Sequence, residues 1–242
     1  EFKMYLQPQI SAKTRRLTGA EALVRRIKPD GTIISPIDFI PVYEKSGLIS
    51  RLDRYIWEQA AAKLGEWKKA GINMSISVNI SPKDFYYIDI FNTFAGLIKK
   101  YDIEPSNLKI EITETTIMSD VPNLMGELEE LRKAGFTLEM DDFGSGYSSL
   151  NTLKDINVDV LKVDMGFIKE TKNVKKSRII LASVIKMAKE LNLLIITEGV
   201  ETEEQVDNLT KLGCDVFQGY YFSKAIDVNE FEKRYLYRKK AG

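Results

Sequence analysis

Five carboxylates, Glu21, Glu111, Asp141, Asp142 and Glu198, stand at or near the ends of short apolar runs, with Asp141 and Asp142 sharing one run. Glu111 closes Leu108-Lys109-Ile110-Glu111-Ile112, the aspartates follow Phe136-Thr137-Leu138-Glu139-Met140, and Glu198 follows Leu193-Leu194-Ile195-Ile196-Thr197. Asn79, Lys162 and Gln218 end three further runs. Like charges about 4 Å apart repel by roughly 4 kcal/mol at an effective dielectric of about 20, so five clustered carboxylates need cations to stay ionised. Two divalent ions (+4) and Lys162 (+1) would balance them and leave room for an anionic substrate. Ligation by carboxylates and an amide suits magnesium or manganese, and a chain with no histidine is poor material for zinc.

These residues can meet only if their runs share one sheet. Strand-like runs recur at residues 2–10, 17–26, 74–80, 107–113, 136–141, 158–163, 193–198 and 215–221. Between most of them lie segments of helical period, such as Ile56-Trp57, Ala60-Ala61, Leu64 and Trp67, or Leu124, Leu128 and Leu131, or Ile180, Val184, Ile185 and Ala188. Alternating strand and helix in 242 residues predicts one TIM-type (β/α)8 barrel, with its chemistry at the C-terminal strand ends. The first two runs are separated only by residues 11–16, too few for a crossover helix. The first strand is therefore expected antiparallel to the second.

Period-two alternation assigns the faces. Lys109, Glu111 and Thr113 share the inward face of one strand, Val158, Val160, Lys162 and Asp164 that of another. Glu198 shares a face with Ile196 and Leu194, and Glu21 with Leu23 and Arg25. Lys109 and Glu139 both point inward, each two residues before a candidate metal ligand. Burying either alone would cost several kcal/mol, so a Lys109–Glu139 ion pair is expected beneath the site, the alternative being that Glu139 reaches Lys162.

Lysine plus arginine equals aspartate plus glutamate at 35 each, which gives no basic field for long nucleic acid or a membrane surface. No run approaches the roughly 18 apolar residues of a membrane span. The single cysteine, Cys214, reads as a small buried hydrophobe suited to a reducing cytoplasm. The glycine-bearing loop 143–149 could hold a phosphate or simply supply positive φ before a helix starting near Ser148. The stretch 169–176 reads as a solvated loop and helix start. The first residue is Glu1 rather than Met, and the chain is expected to be a single domain, residues 1–242, excised from a larger multidomain signalling protein.

Seven motifs carry a resemblance. In order they are Gly19-Ala20-Glu21-Ala22-Leu23-Val24-Arg25, Asn79-Ile80-Ser81-Pro82, Glu111-Ile112-Thr113-Glu114, Asp141-Asp142-Phe143-Gly144 continuing to Leu150, Leu161-Lys162-Val163-Asp164, Glu198-Gly199-Val200-Glu201 and Gln218-Gly219-Tyr220. Together they resemble the EAL-domain cyclic-di-GMP phosphodiesterases over almost the whole chain. The resemblance implies a bacterial enzyme that opens cyclic di-GMP to linear pGpG with two Mg²⁺ or Mn²⁺ ions. It implies that Glu21, Asn79, Glu111 and Asp141 hold the first ion, that Asp141 and Asp142 hold the second, and that Glu198 completes it. By the same resemblance Lys162 polarises the attacking water, with Gln218 close by, and Gln7, Leu23 and Arg25 contact the dinucleotide. Glu114 anchors the loop from Asp142 to Ser149, which in the family links metal occupancy to a homodimer.

Some positions depart from the family pattern. Ser145 replaces a frequent Thr, Arg26 a Trp, Met165-Gly166 an Arg-Ser and Ala225 a proline. None of these is a metal position. Competing readings are a catalytically silent cyclic-di-GMP receptor and a magnesium-dependent enolising barrel enzyme.

Overall fold

β1 (Phe2–Ser11) and β2 (Leu17–Ile27) form the expected antiparallel hairpin, with Gln7 opposite Glu21 and Tyr5 opposite Leu23. The computed structural model describes residues 1–119, 121–144, 149–166 and 174–237, with residues 149–151 and 174 as backbone only. A two-residue strand, β3 (Ile33–Ile34), pairs with the end of β2. The ring continues through β4 (Ile76–Asn79), β5 (Leu108–Thr113), β6 (Leu138–Asp141), β7 (Val160–Asp164), β8 (Leu194–Glu198) and β9 (Val216–Phe217). β2 and β4 to β9 run parallel, and β1 closes the barrel between β2 and β9, antiparallel to both. The TIM-type barrel with a reversed first strand is therefore present. A last short strand, β10 (Ile226–Asp227), lies on the outer edge of β1.

Several strands are shorter than the apolar runs suggest, two of them mainly at the lower end and the last mainly at the upper. Runs 74–80, 136–141 and 215–221 shrink to four, four and two residues of strand. Phe136 at the foot of its run, and Ile72 and Cys214 just before theirs, close the preceding helices instead: Ile72 N–H donates to Trp67 O, Phe136 N–H to Leu131 O and Cys214 N–H to Leu209 O, at 2.8 to 3.1 Å. Carbonyls left over at a helix C-terminus claim these donors before the sheet does.

Around the barrel lie α1 (Pro36–Ser46), α2 (Ile49–Lys69), α3 (Asp84–Tyr87), α4 (Ile90–Tyr101), α5 (Glu114–Ile117), α6 (Leu124–Lys133), α7 (Ser149–Asp155), α8 (Val174–Glu190), α9 (Glu203–Leu212) and α10 (Val228–Phe231). α2 buries Ile56, Trp57, Ala60, Ala61, Leu64 and Trp67, the stripe its 3.6-residue period lays on one side. Trp57 also donates Nε1–H to the carbonyl of Asn79 at 2.9 Å, which ties α2 to the upper end of β4. The main core lies between the outer face of the barrel and these helices; Leu161, Val163 and Ile195 belong to it. Inside the barrel, Val160, Ile196 and Val216 make a separate apolar cluster, as alternation with Lys162, Glu198 and Gln218 requires.

Candidate active site

Of the eight polar residues expected at the mouth, Asn79, Asp141 and Glu198 end a strand, Asp142 and Gln218 lie one residue past an end, Glu111 and Lys162 lie two residues before one, and Glu21 is further from its own. β2 pairs with β4 only at Ala20 and Glu21, then continues to Ile27 against β1 as a ribbon beyond the barrel rim, edged by β3 and β10. Glu21 thus reaches the mouth from mid-strand. Leu23 and Arg25 follow it on the ribbon, beside the opening. Because β1 is reversed, Gln7 arrives at the same level from the opposite direction.

Lys162 is the hub. Its side chain is 0% exposed, and Nζ lies 2.8 Å from Glu111 Oε2, 2.9 Å from Glu198 Oε1, 3.3 Å from Asp141 Oδ1 and 3.6 Å from Glu21 Oε2. Burial alone would lower the pKa of this ammonium, but attraction to Glu111, Glu198, Glu21 and Asp141 outweighs it and holds the lysine charged well above its usual range. Burial pushes the other way on its partners. Glu111 is raised well above the ordinary carboxylate range by burial and by Glu21, against the pull of Lys162. Glu198 is pushed up to about 8 by burial, which Lys162 only partly offsets. Asp142 is raised by burial and by neighbouring Asp141.

Around this hub the remaining polar residues interlock. Asn79 Nδ2–H donates to Glu21 Oε1 at 3.3 Å, and Gln218 Nε2–H donates to Glu21 Oε2. Gln218 also donates to Gln7 Oε1 at 3.3 Å and accepts from Gln9 Nε2–H at 3.2 Å. Gly219 secures this placement: a Cβ there would lie 2.2 Å from the Val200 carbonyl oxygen, so only glycine lets the chain carry Gln218 this close to its neighbour. Asp142 lies outside the reach of Lys162 on the rim, with φ +56° and its N–H on Asp141 Oδ1 at 2.9 Å. Such a left-handed non-glycine residue beside a cluster of charges is the kind of strain found at functional sites.

Glu114 is buried at the first turn of α5, where Thr113 accepts the N–H of Thr116 as cap. Residues 145–148, which carry Ser145 and half of the loop Glu114 is expected to anchor, lie outside the described residues, as do 169–173 of the lysine-rich stretch. Arg26 pairs with Glu1 at 3.0 Å and lies over the ring of Phe2, so it turns to the outer side of the ribbon. Cys214 is buried and accepts from Thr197 Oγ1–H at 3.1 Å.

Two cavities flank Leu23. A polar one of about 360 Å³ is lined by Gln7, Glu21, Asp164, Glu198 and Tyr220. A more apolar one of about 370 Å³ is lined by Arg25, Ile40, Asp53, Ile56 and Pro82. Tyr220, exposed and with Lys224 Nζ 5.1 Å from its ring centroid, stands at the rim of the first. Asp53 went unnoticed in the sequence. It sits on α2 facing Asp84 of α3, and burial and that neighbour push its pKa up to about 9. One aspartate on a charged helix gives no sign of this, since the pairing is made by the packing of α3 on α2.

Among the described residues, no three acidic or thiol side chains are disposed about a common point as ligands of a single ion; the carboxylates turn to Lys162. Their chemistry still fits a hard cation. Every donor is oxygen, and the buried Oε1 of Glu111 has no hydrogen-bond partner among the described residues. Also among the described residues, no helix is long and apolar enough to cross a membrane.

The EAL domain profile matches residues 1–225. The signaling protein YkoW of Bacillus subtilis is 37% identical over 232 residues, 96% of this chain and 29% of that protein. The cyclic di-GMP phosphodiesterase PdeR of Escherichia coli is 32% identical over 241 residues, 98% of this chain and 36% of that protein. The chain thus spans about a third of the length of these relatives. Among solved structures, the PaMucR phosphodiesterase in its c-di-GMP complex superimposes with a TM-score of 0.88 at 33% identity, covering 95% of this chain and 94% of that one.

Proposed function

This chain belongs to the EAL domain family, and we propose that it is a metal-dependent phosphodiesterase that hydrolyses cyclic di-GMP to linear pGpG. The observation that carries the reading is the convergence of Glu21, Glu111, Asp141 and Glu198 on one buried lysine at the barrel mouth. With Asp142 the mouth holds five carboxylates against Lys162, a formal −5 + 1 = −4, which two divalent cations would balance. Glu21, Asn79, Glu111 and Asp141 would hold one ion, and Asp141, Asp142 and Glu198 the other. When bound, such ions make water nucleophilic near neutral pH and offset charge on the phosphoryl oxygens. Lys162 then has part of its carboxylate company drawn away and can hold and orient the attacking water, with Gln218 beside it. Gln7, Leu23 and Arg25 would seat the dinucleotide. Leu23 between two cavities of ligand size supports a two-lobed substrate. We further assign the chain as one module, residues 1–242, of a longer cytoplasmic signalling protein that works as a homodimer.

A silent receptor for the same ligand is the second reading, and the retention of every expected metal ligand and of Lys162 favours the enzyme. Incubation with cyclic di-GMP and Mg²⁺ or Mn²⁺, followed by chromatography, tests it. Linear product supports hydrolysis; binding without product supports the receptor.

A further inference from the structure

The barrel interior below the mouth is divided. On the β7 to β9 side it is filled by Val160, Ile196 and Val216. On the β4 to β6 side it holds Ser77, Lys109 and Glu139, and Lys109 Nζ lies 2.9 Å from Glu139 Oε1. Glu139 is 0% exposed and Lys109 only 17%. Glu139 is also the ladder partner of Glu111 on the neighbouring strand, so the two side chains project from the same face about 5 Å apart at the backbone. Each has one buried oxygen, Glu111 Oε1 and Glu139 Oε2, without a hydrogen-bond partner among the described residues.

Two inward-facing lysines, Lys162 buried and Lys109 largely so, therefore serve two separate sets of carboxylates. Lys162 contacts the four mouth carboxylates, and Glu139 is not among its ion-pair partners. Lys109 neutralises Glu139 and keeps it out of that set. We propose that Lys109 and Glu139 form a positioning pair that sets the divalent-cation affinity of the mouth, each acting through its charge on Glu111 and neither touching the ion. The inference rests on the proposed metal site. Its physical content is a sign rule. Removing the positive member leaves an uncompensated anion behind Glu111 and should draw cations in; removing the negative member leaves an uncompensated ammonium there and should repel them.

Glutamine variants test the rule, because Lys109→Gln can still donate to Glu139 and Glu139→Gln can still accept from Lys109, so the contact survives while the charge changes. Mn²⁺ binding is measured by titration calorimetry without nucleotide, and folding by circular dichroism. Lys109→Gln should tighten binding by roughly fivefold, Glu139→Gln should weaken it by roughly the same factor, and the double variant should return near wild type. A purely structural pair would lower the melting temperature and leave the affinities alike. Affinities that stay unchanged, or shift in the same direction in both single variants, overturn the proposal. Should one single variant fail to fold, the sign of the other against wild type decides. A wild-type protein that binds no Mn²⁺ would instead overturn the metal site itself.

Discussion

Lys109 Nζ and Glu139 Oε1 lie 2.9 Å apart inside the barrel, on the adjacent strands β5 and β6. The pair is the expected consequence of two inward-facing positions of opposite charge. Breaking it strands the largely buried Lys109 ammonium, so Glu139→Ala should destabilise by about 3 kcal/mol, whereas Lys109→Met/Glu139→Leu, which removes both charges, should cost much less. Urea titrations of the three proteins check this. Equal losses in the single and double variants would show that the charge pairing does not matter.

Lys162→Ala should lower kcat by roughly a hundredfold while KM for cyclic di-GMP changes little, because its role is assigned to the attacking water. The same variant removes the ammonium that four carboxylates share, so its melting temperature without metal should fall and recover when Mn²⁺ is added. A large rise in KM with kcat intact would place the lysine in substrate binding instead.

Glu21→Gln replaces a carboxylate that accepts from both Asn79 and Gln218. Its fold should persist, and activity should drop by about tenfold to a hundredfold at fixed metal concentration, the least expected when a metal site loses one of its anchors. Activity at the wild-type level with an unchanged circular dichroism spectrum would remove Glu21 from the site.

Asp53, pushed up to about 9 by burial and by Asp84, gives a pH signature away from the mouth. The unfolded chain releases this proton near pH 4 while the native state keeps it to about 9, so native protein binds more protons across that window. The contribution to stability therefore falls as pH rises from about 4 to about 9. Asp53→Asn, neutral throughout, should be more stable than wild type by about 1–2 kcal/mol at pH 7, with the gap vanishing near pH 4. A gap that is constant from pH 4 to 9 would contradict the assignment.

Strand alternation allowed Glu111, Lys162 and Glu198 to point the same way without forcing it, and the closed parallel sheet brings them with Asp141 and Gln218 to one mouth. The reversed first strand followed from a six-residue gap. What alternation could not show is how far each strand extends. Phe136 at the foot of its run was taken by a helix C-terminus, and the run 17–26 gave β2 its length but not that only Ala20 and Glu21 would pair with β4. Nor could it show that Lys162 gathers four carboxylates at once, or that Asp53 meets Asp84, since both depend on distances between elements far apart in sequence.

The central claim, that the mouth around Lys162 hydrolyses a cyclic dinucleotide with metal assistance, is tested most directly by incubating the protein with cyclic di-GMP and Mn²⁺ in heavy-oxygen water and weighing the product by mass spectrometry. The account predicts linear pGpG carrying one heavy oxygen on its terminal phosphate, and no product in excess chelator. Cyclic di-GMP that is bound but recovered intact, or product formed equally well with chelator present, would contradict it.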